Sequence, residues 1–365
     1  FSKILKTSDL FQSIHKKKGE FKDTENFDSY FRYKYNSKSR NIYSHLSSLF
    51  KKKILKEKYL ISESYLGLID EIKLNFKLGC FPKLNSMEPQ IEKKINWEFR
   101  HKFLLNNFDS ENDFEKIIKH LIILQIPTTY FENYKKVCSM INDIHWPSNP
   151  KIIFTSHFLQ KTKQAFYTAE KIEKEKSKLI MGQHGGVYGQ YEFSTIQDHE
   201  LDVGDKFLSW GWTDKNNKKV IPFGIIKNLP KIKYKAKNNE ILLILRCQPR
   251  YTSRINSISG SFQAYNYYKE CIKFCEILDT SDLLKNLRVR MHAKRFWNED
   301  YLLKTRIPKI QIDPGYQSVF KLIQNSKLIV HSYVGTGYLE TLSMNLPTIF
   351  FTNIKDCLLK KDVLN

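Results

Sequence analysis

From residue 151 onward the chain alternates between short apolar runs of strand length and longer amphipathic runs of helical period. The alternation occurs twice, with a polar break between. Parallel sheets with crossover helices need this pattern, so it constrains the fold to α/β more firmly than any single motif. In the first unit residues 151–156, 179–181, 206–210 and 220–224 read as strands. Residues 160–178 read as a basic helix with Phe166, Ala169 and Ile172 on one side. The lysine- and asparagine-rich stretch 227–240 reads as a linker. In the second unit residues 241–246, 287–292, 310–312, 328–331 and 348–351 read as strands, and 265–278, 318–326 and 336–344 as helices. The expected fold is therefore two Rossmann-like units facing a cleft. Upstream, residues 97–105 and 114–124 read as helices, with Pro127 opening another; residues 43–61 show a helical pattern within a basic, aromatic-rich region.

The sharpest local feature is Met-Gly-Gln-His-Gly-Gly-Val-Tyr-Gly at 181–189. Glycine admits positive φ and close backbone approach, and histidine titrates nearest neutrality. Gln183, His184, Gly185, Gly186 and Tyr188 thus read as a ligand-facing loop at a strand's carboxyl end. The plain alternative is a tight turn around a packed histidine. Glu192, His199, Glu200, Asp202 and Asp205 follow closely, so a histidine or carboxylate is at hand as general base or nucleophile. Trp210 and Trp212 stand at the next strand end, to stack on a sugar or to pack.

In the second unit, His331 to Glu340 run from a strand through a glycine turn into a helix, whose N-terminus offers N–H groups to an anion. His331, Ser332, Thr336 and Gly337 are candidates to hold a nucleotide phosphate, and Glu340 to bind a ribose hydroxyl or cap the helix. Arg246 and Arg250 flank one strand end; Arg290, His292, Lys294 and Arg295 crowd another. A parallel sheet would gather these at one edge, where guanidinium forks match phosphate. Solvated surface charge is the alternative.

The formal net charge is +22, yet only ten of the 60 basic residues are arginine and the lysines are scattered. Nucleic-acid binding is not expected without a clustered patch or motif. An anionic membrane surface or an anionic substrate suits the charge better. The six cysteines form no CxxC pair and read as reduced thiols, with Cys271 and Cys275 on one helix face. No signal peptide or membrane-spanning run is apparent, so the expected location is cytoplasmic, with peripheral contact at the inner face of the membrane.

Residues 182–189, 205–212 (Asp-Lys-Phe-Leu-Ser-Trp-Gly-Trp), 336–350 and 126–132 (Ile-Pro-Thr-Thr-Tyr-Phe-Glu) resemble a family of transferases from O-antigen and surface-polysaccharide gene clusters. The resemblance covers roughly residues 97–357 and extends to GT-B retaining β-Kdo glycosyltransferases. It implies an acceptor-side domain over 1–230, with a variable helical region at 1–95 and an α/β part at 97–224. It implies a nucleotide-sugar domain over 236–365, truncated at its C-terminus. It further implies a CMP-linked donor, Kdo from CMP-Kdo, no metal, and a lipid-linked lipopolysaccharide or capsular glycan as acceptor. Glu132 and Asp205 lie in matching motifs as candidate nucleophiles, and His184 would face the cleft. Residues 290–293 lack the proline usual in the family. A CDP-glycerol-type polyol-phosphate transferase and a non-catalytic GT-B-like partner are the alternatives.

Overall fold

The computed structural model describes residues 48–83, 94–107, 112–142, 144–157, 161–232, 234, 239–248, 263–294, 296–355 and 358–364. Arg250, Arg295 and Cys357 lie outside the described residues. The chain divides into two compact units, Phe1–Lys51 and Lys52–Asn365, and both sheets belong to the second.

The first sheet has five parallel strands in sequential order. They are β1 (Tyr59–Ile61), β2 (Ile152–Thr155), β3 (Lys178–Gly182), β4 (Lys206–Ser209) and β5 (Val220–Pro222). The placement of β1 corrects the helical reading of residues 43–61. The helix ends at Ile54, and Tyr59–Ile61 pairs with β2 through Leu60, which is fully buried. Leu60, Ile153, Leu179, Met181, Phe207 and Val220 form one core with Tyr167 and Leu201 from the helices Thr162–Glu175 and Thr195–Val203.

The helix Thr162–Glu175 packs Phe166 and Ile172 of its apolar stripe against this core but is turned so that its most buried positions lie beside the stripe. Gln164, Tyr167 and Thr168 are buried and Ala169 is exposed. Polar anchors set its rotation: Gln164 Nε2 donates to Thr155 Oγ1 at 2.9 Å and to Ser62 O at 3.3 Å. Phe166 stacks at the rim on Tyr130, 5.6 Å between ring centroids.

The second sheet is also parallel, with β6 (Ile241–Ile244), β7 (Leu287–Arg290), β8 (Gln311–Asp313), β9 (Leu328–His331) and β10 (Thr348–Phe350) in the order β10-β9-β6-β7-β8. The chain starts in the middle, builds outward to β8, and returns to the other side of β6. That doubly wound order reverses between β6 and β9, where such sheets hold ligands. Leu243, Val289 and Val330 enter one core with the helix Ala264–Thr280, while Leu242 and Ile329 enter another on the opposite face. Burial on both faces explains the unbroken apolar run of β6. Cys271 and Cys275 lie together in the first of these cores as free thiols. The architecture is mixed α/β with two five-stranded parallel sheets, the fold class expected. Among the described residues no helix is long and apolar enough to cross a membrane.

Helices Trp97–Asn107 and Asp113–Gln125 precede β2 and are tied by Arg100. Its side chain is almost fully buried. Nε and Nη2 grip Glu132 at 2.7 and 2.8 Å, while Nη1 and Nη2 donate to the Ile123 and Ile126 carbonyls at 2.7 and 2.9 Å. Removing one partner of a buried pair strands the other, at about 3–5 kcal/mol. Arg100→Leu should lower the unfolding free energy by about that amount. Arg100→Lys should recover little, because an ammonium cannot reproduce the fork. Denaturant midpoints test this; a loss of only a few tenths of a kcal/mol would show the clamp to be dispensable.

Candidate active site

The carboxyl ends of the two sheets meet in a seam. The loop after β3 lies against the turn after β9: Gly186 N–H donates to Thr336 Oγ1 at 3.1 Å. Gln190 receives the Tyr338 hydroxyl and donates to Gly186 O. Val334, Tyr338 and Leu359 form a small core with Tyr191. An antiparallel bridge joins Tyr191 to Leu359, with Glu192 N–H to Leu358 O and Lys360 N–H to Gln190 O, both 2.8 Å.

Two glycines of the loop have distinct reasons. Gly189 has φ +76, the left-handed region. At Gly186 an added Cβ would lie 2.1 Å from Gly335 O. Gln183 knots the loop to the one after β4. Its Oε1 accepts from Trp210 N–H and Trp212 Nε1, both at 2.8 Å, and its Nε2 donates to Gly185 O at 2.6 Å. The tryptophans therefore serve as loop anchors here.

His184 stands at the centre of a buried polar cluster. Tyr188 Oη lies 3.0 and 3.1 Å from its two ring nitrogens, and Glu200 Oε1 lies 3.6 Å from Nδ1. His157, at the end of β2, places its ring centroid 4.2 Å from that of His184, and Tyr65, beyond β1, lies 5.0 Å from His157. Glu63 and Tyr65 both adopt positive φ, +52 and +68, a strained conformation that recurs at functional sites. Burial and then His157 hold the His184 imidazole down at about 3. Burial lifts the Glu200 carboxyl to about 8, against the opposing hydrogen bond from Tyr188. At neutral pH His184 is therefore a neutral imidazole, 14% exposed, beside an acid that burial keeps largely protonated.

The two carboxylates carried by the resemblance do not join this group. Asp205 lies at the opposite, amino edge of the sheet, just before β4. It accepts from Lys178 Nζ and Leu179 N–H, both at 2.9 Å, and braces β3 against β4. Burial would raise its carboxyl, but these bonds together hold it below its ordinary value. Glu132 is engaged by Arg100, which holds its carboxyl at about 2. Glu192, His199 and Asp202 are exposed. Glu200 is the carboxylate brought to His184. Its signal in the sequence was faint: it falls in helical register with Gln197 and Leu201, the buried side of its helix.

In the second sheet Arg246, His292 and Lys294 lie together just beyond the β6 and β7 ends. With Leu245, Tyr268, Met291 and Glu299 they line a cavity of ≈ 10 Å³, room for about one water. The Arg246 guanidinium lies 4.2 Å over the Tyr267 ring. Arg290 turns away to Asp313. Several phosphate candidates are instead internal. Ser332 bonds Tyr267 Oη at 2.7 Å and Ile244 O at 2.9 Å. His331 is buried against Thr341 at 3.2 Å and under Gly337, its imidazole lowered to about 4 by burial. Glu340 pairs with Lys227 across the linker, and Lys227 lies 5.7 Å over the Tyr65 ring. Among the described residues no group of three His, Cys, Asp or Glu side chains is placed to hold a metal ion.

The chain belongs to a family described as LIC12162 family transferase, which it matches over residues 1–364. It is thus a member of a transferase family. No curated protein matches it. Among solved structures it is similar to a crystal structure from Listeria monocytogenes assigned as a UDP-N-acetylglucosamine 2-epimerase, with 9% identity and a TM-score of 0.37. The match covers 59% of this chain and 61% of that one, so the chain spans less than two thirds of that protein's length.

The two perturbed groups oppose one another in pH. Between 4.5 and about 8 the folded state holds a proton on Glu200 that the unfolded chain lacks. That contribution is complete below 4.5 and lost as pH rises through 8. Between about 3 and 6.5 the folded state lacks a proton on His184, so its contribution is present above 6.5 and lost as pH falls. Above 6.5 the Glu200 slope stands unopposed by His184. Wild-type stability should then fall by roughly 1 kcal/mol per pH unit towards pH 8 relative to Glu200→Gln. The difference between the two proteins removes the part due to Glu71, lifted by burial to about 7. Urea midpoints at pH 6.5 and 8 check this; parallel slopes would contradict it.

Proposed function

We propose that the chain is a glycosyltransferase that moves a sugar from a nucleotide-activated donor to a glycan. The donor is Kdo from CMP-Kdo, and the acceptor a lipid-linked lipopolysaccharide O-antigen or capsular glycan. The observation that carries the reading is the His184 cluster lying at the seam opposite the switch point of a doubly wound sheet. An imidazole that is neutral at pH 7 can take the proton of an acceptor hydroxyl, and because burial holds its basicity low it needs a negative charge close by to do so. Arg246, His292, Lys294 and the N-terminus of the helix Thr336–Ser343 supply the electropositive edge for the donor phosphate. The choice of Kdo rests on the sequence resemblance alone.

The acceptor side supports contact with an anionic bilayer. On helix Asp113–Gln125, Phe114, Ile117, Ile118, Leu121 and Ile122 are exposed, an apolar face on a chain of net charge +22. That chemistry suits an acceptor displayed on a lipid.

In a thermal-shift panel of nucleotides, CMP should stabilise the protein most. Ligand at about a hundred times its Kd adds roughly 2.7 kcal/mol. CMP should be released from CMP-Kdo when a glycan acceptor is present, and His184→Ala should slow that release by about a hundredfold or more. Absence of turnover with CMP-, UDP-, GDP- and TDP-sugars would sink the glycosyltransferase reading. Phosphate carried into the product would point to polyol-phosphate transfer, and nucleotide binding without turnover to a non-catalytic partner.

Separately, the full chain should sediment with phosphatidylglycerol vesicles and not with phosphatidylcholine vesicles. Ile122→Glu should remove most of that binding; equal binding by wild type and variant would exclude this face.

A further inference from the structure

Glu200 occupies a position where an apolar side chain would be expected. It faces inward from helix Thr195–Val203, 2% exposed, and its Oε2 has no hydrogen-bond partner among the described residues. A buried carboxyl in this condition is destabilising unless something else requires it. The groups facing it are Tyr188 and His184, with His157 and Tyr65 beyond. The nearby cations are directed elsewhere: Lys219 Nζ donates to the Leu201 and Asp202 carbonyls at 2.9 and 3.2 Å, and Lys178 serves Asp205. The helix is fixed to the histidine's own loop one turn earlier, where Gln197 Oε1 accepts from Gly189 N–H at 2.6 Å. Helix, loop and imidazole are thus held as one piece, with the acid against the ring.

We propose that Glu200 is a positioning residue for His184: directly and through Tyr188 it holds the imidazole at the seam and sets how readily the ring accepts a proton. This rests on reading His184 as the base that serves the acceptor. In the transfer, the acceptor O–H bond breaks as its oxygen bonds the sugar's anomeric carbon, and the proton passes to the bare nitrogen of His184. The bond from that carbon to the donor phosphate breaks, and its electron pair leaves with the nucleotide. Glu200 exchanges no atom with substrate. While protonated it contributes a hydrogen bond to Tyr188 and no charge. Once ionised it sets a negative charge 3.6 Å from Nδ1 and favours the imidazolium that the transfer creates.

The test compares wild type, Glu200→Gln and Tyr188→Phe as full-length proteins, with two readouts. The first, nitrogen-resolved NMR of the His184 ring from pH 6 to 9, needs no turnover. Both variants should change its tautomer balance, and only proteins with Glu200 should show a ring response as the acid ionises. The second is the pH profile of kcat with CMP-Kdo. Wild type should gain rate through the Glu200 ionisation; Glu200→Gln should lose that limb and fall at least about tenfold in kcat with donor KM unchanged. A His184 ring whose signals between pH 6 and 9 are the same in Glu200→Gln as in wild type overturns the proposal whether or not the protein turns over. A uniform loss of rate with an unchanged profile also overturns it, since a merely structural role would do that. If Glu200→Gln fails to fold, Tyr188→Phe decides by the same NMR signals. Failure of the glycosyltransferase reading would appear instead as no turnover in wild type.

Discussion

The seam depends on a place where a methyl group does not fit. The Gly186 backbone rests on the Gly335 carbonyl so closely that an added Cβ would also lie 2.4 Å from its carbon and 2.6 Å from Thr336 Cα. This contact sets the distance between the two carboxyl edges. It fixes Gly186 two residues after His184, and so fixes the loop that presents the imidazole. It also leaves Thr336 engaged with the loop, which ties the turn that would receive a phosphate to the loop that would receive an acceptor. Gln190, Tyr338 and the Lys227–Glu340 pair extend the same junction on either side.

Charge is distributed in a way that composition conceals. The chain is strongly basic, yet the groups at the seam tend to neutrality: His184 and His331 are pushed down, and Glu200 is pushed up. Burial is the leading cause in each case. A neutral, poorly hydrated cluster magnifies any charge that develops within it, because little solvent is present to screen it. The cations lie at the neighbouring strand ends, around Arg246 and Lys294, where a phosphate would need them.

The sheets were legible because their strands are buried on one or both faces and therefore appear as apolar runs. β1 was hidden because three residues between Lys58 and Ser62 carry no periodic signature, and only pairing with β2 defines them. Helix Thr162–Glu175 was found, and Phe166 and Ile172 pack against the core as its stripe required, but Ala169 faces out and the polar Gln164 and Thr168 are buried with Tyr167. The glycine–histidine loop was visible from composition, although most of its glycines serve close packing and only Gly189 uses left-handed backbone. Asp205 could have been set aside from the sequence itself: it precedes a strand, and ligands in such sheets lie beyond strand ends. Glu132 could not, because its partner Arg100 is recognisable only once the helices are packed. Glu200 looked like one more acid on a polar helix, and its register with Gln197 and Leu201, in the phase set by the Ser194 cap, was the clue that it turned inward.

The bonds that close the seam join residues very distant in the chain, as with Gln190 and Tyr338, 148 positions apart. Each sheet can be assembled from its own strands, but the seam carries the loop-closure entropy of everything between. During synthesis the first sheet emerges with its histidine loop uncovered, and the loop gains its mate only when the β9 turn and the segment around Leu359 have left the ribosome. The arrival of the β9 turn, rather than completion of the first sheet, is what closes the loop over a histidine whose partners Tyr188, Glu200 and His157 the first sheet already supplies.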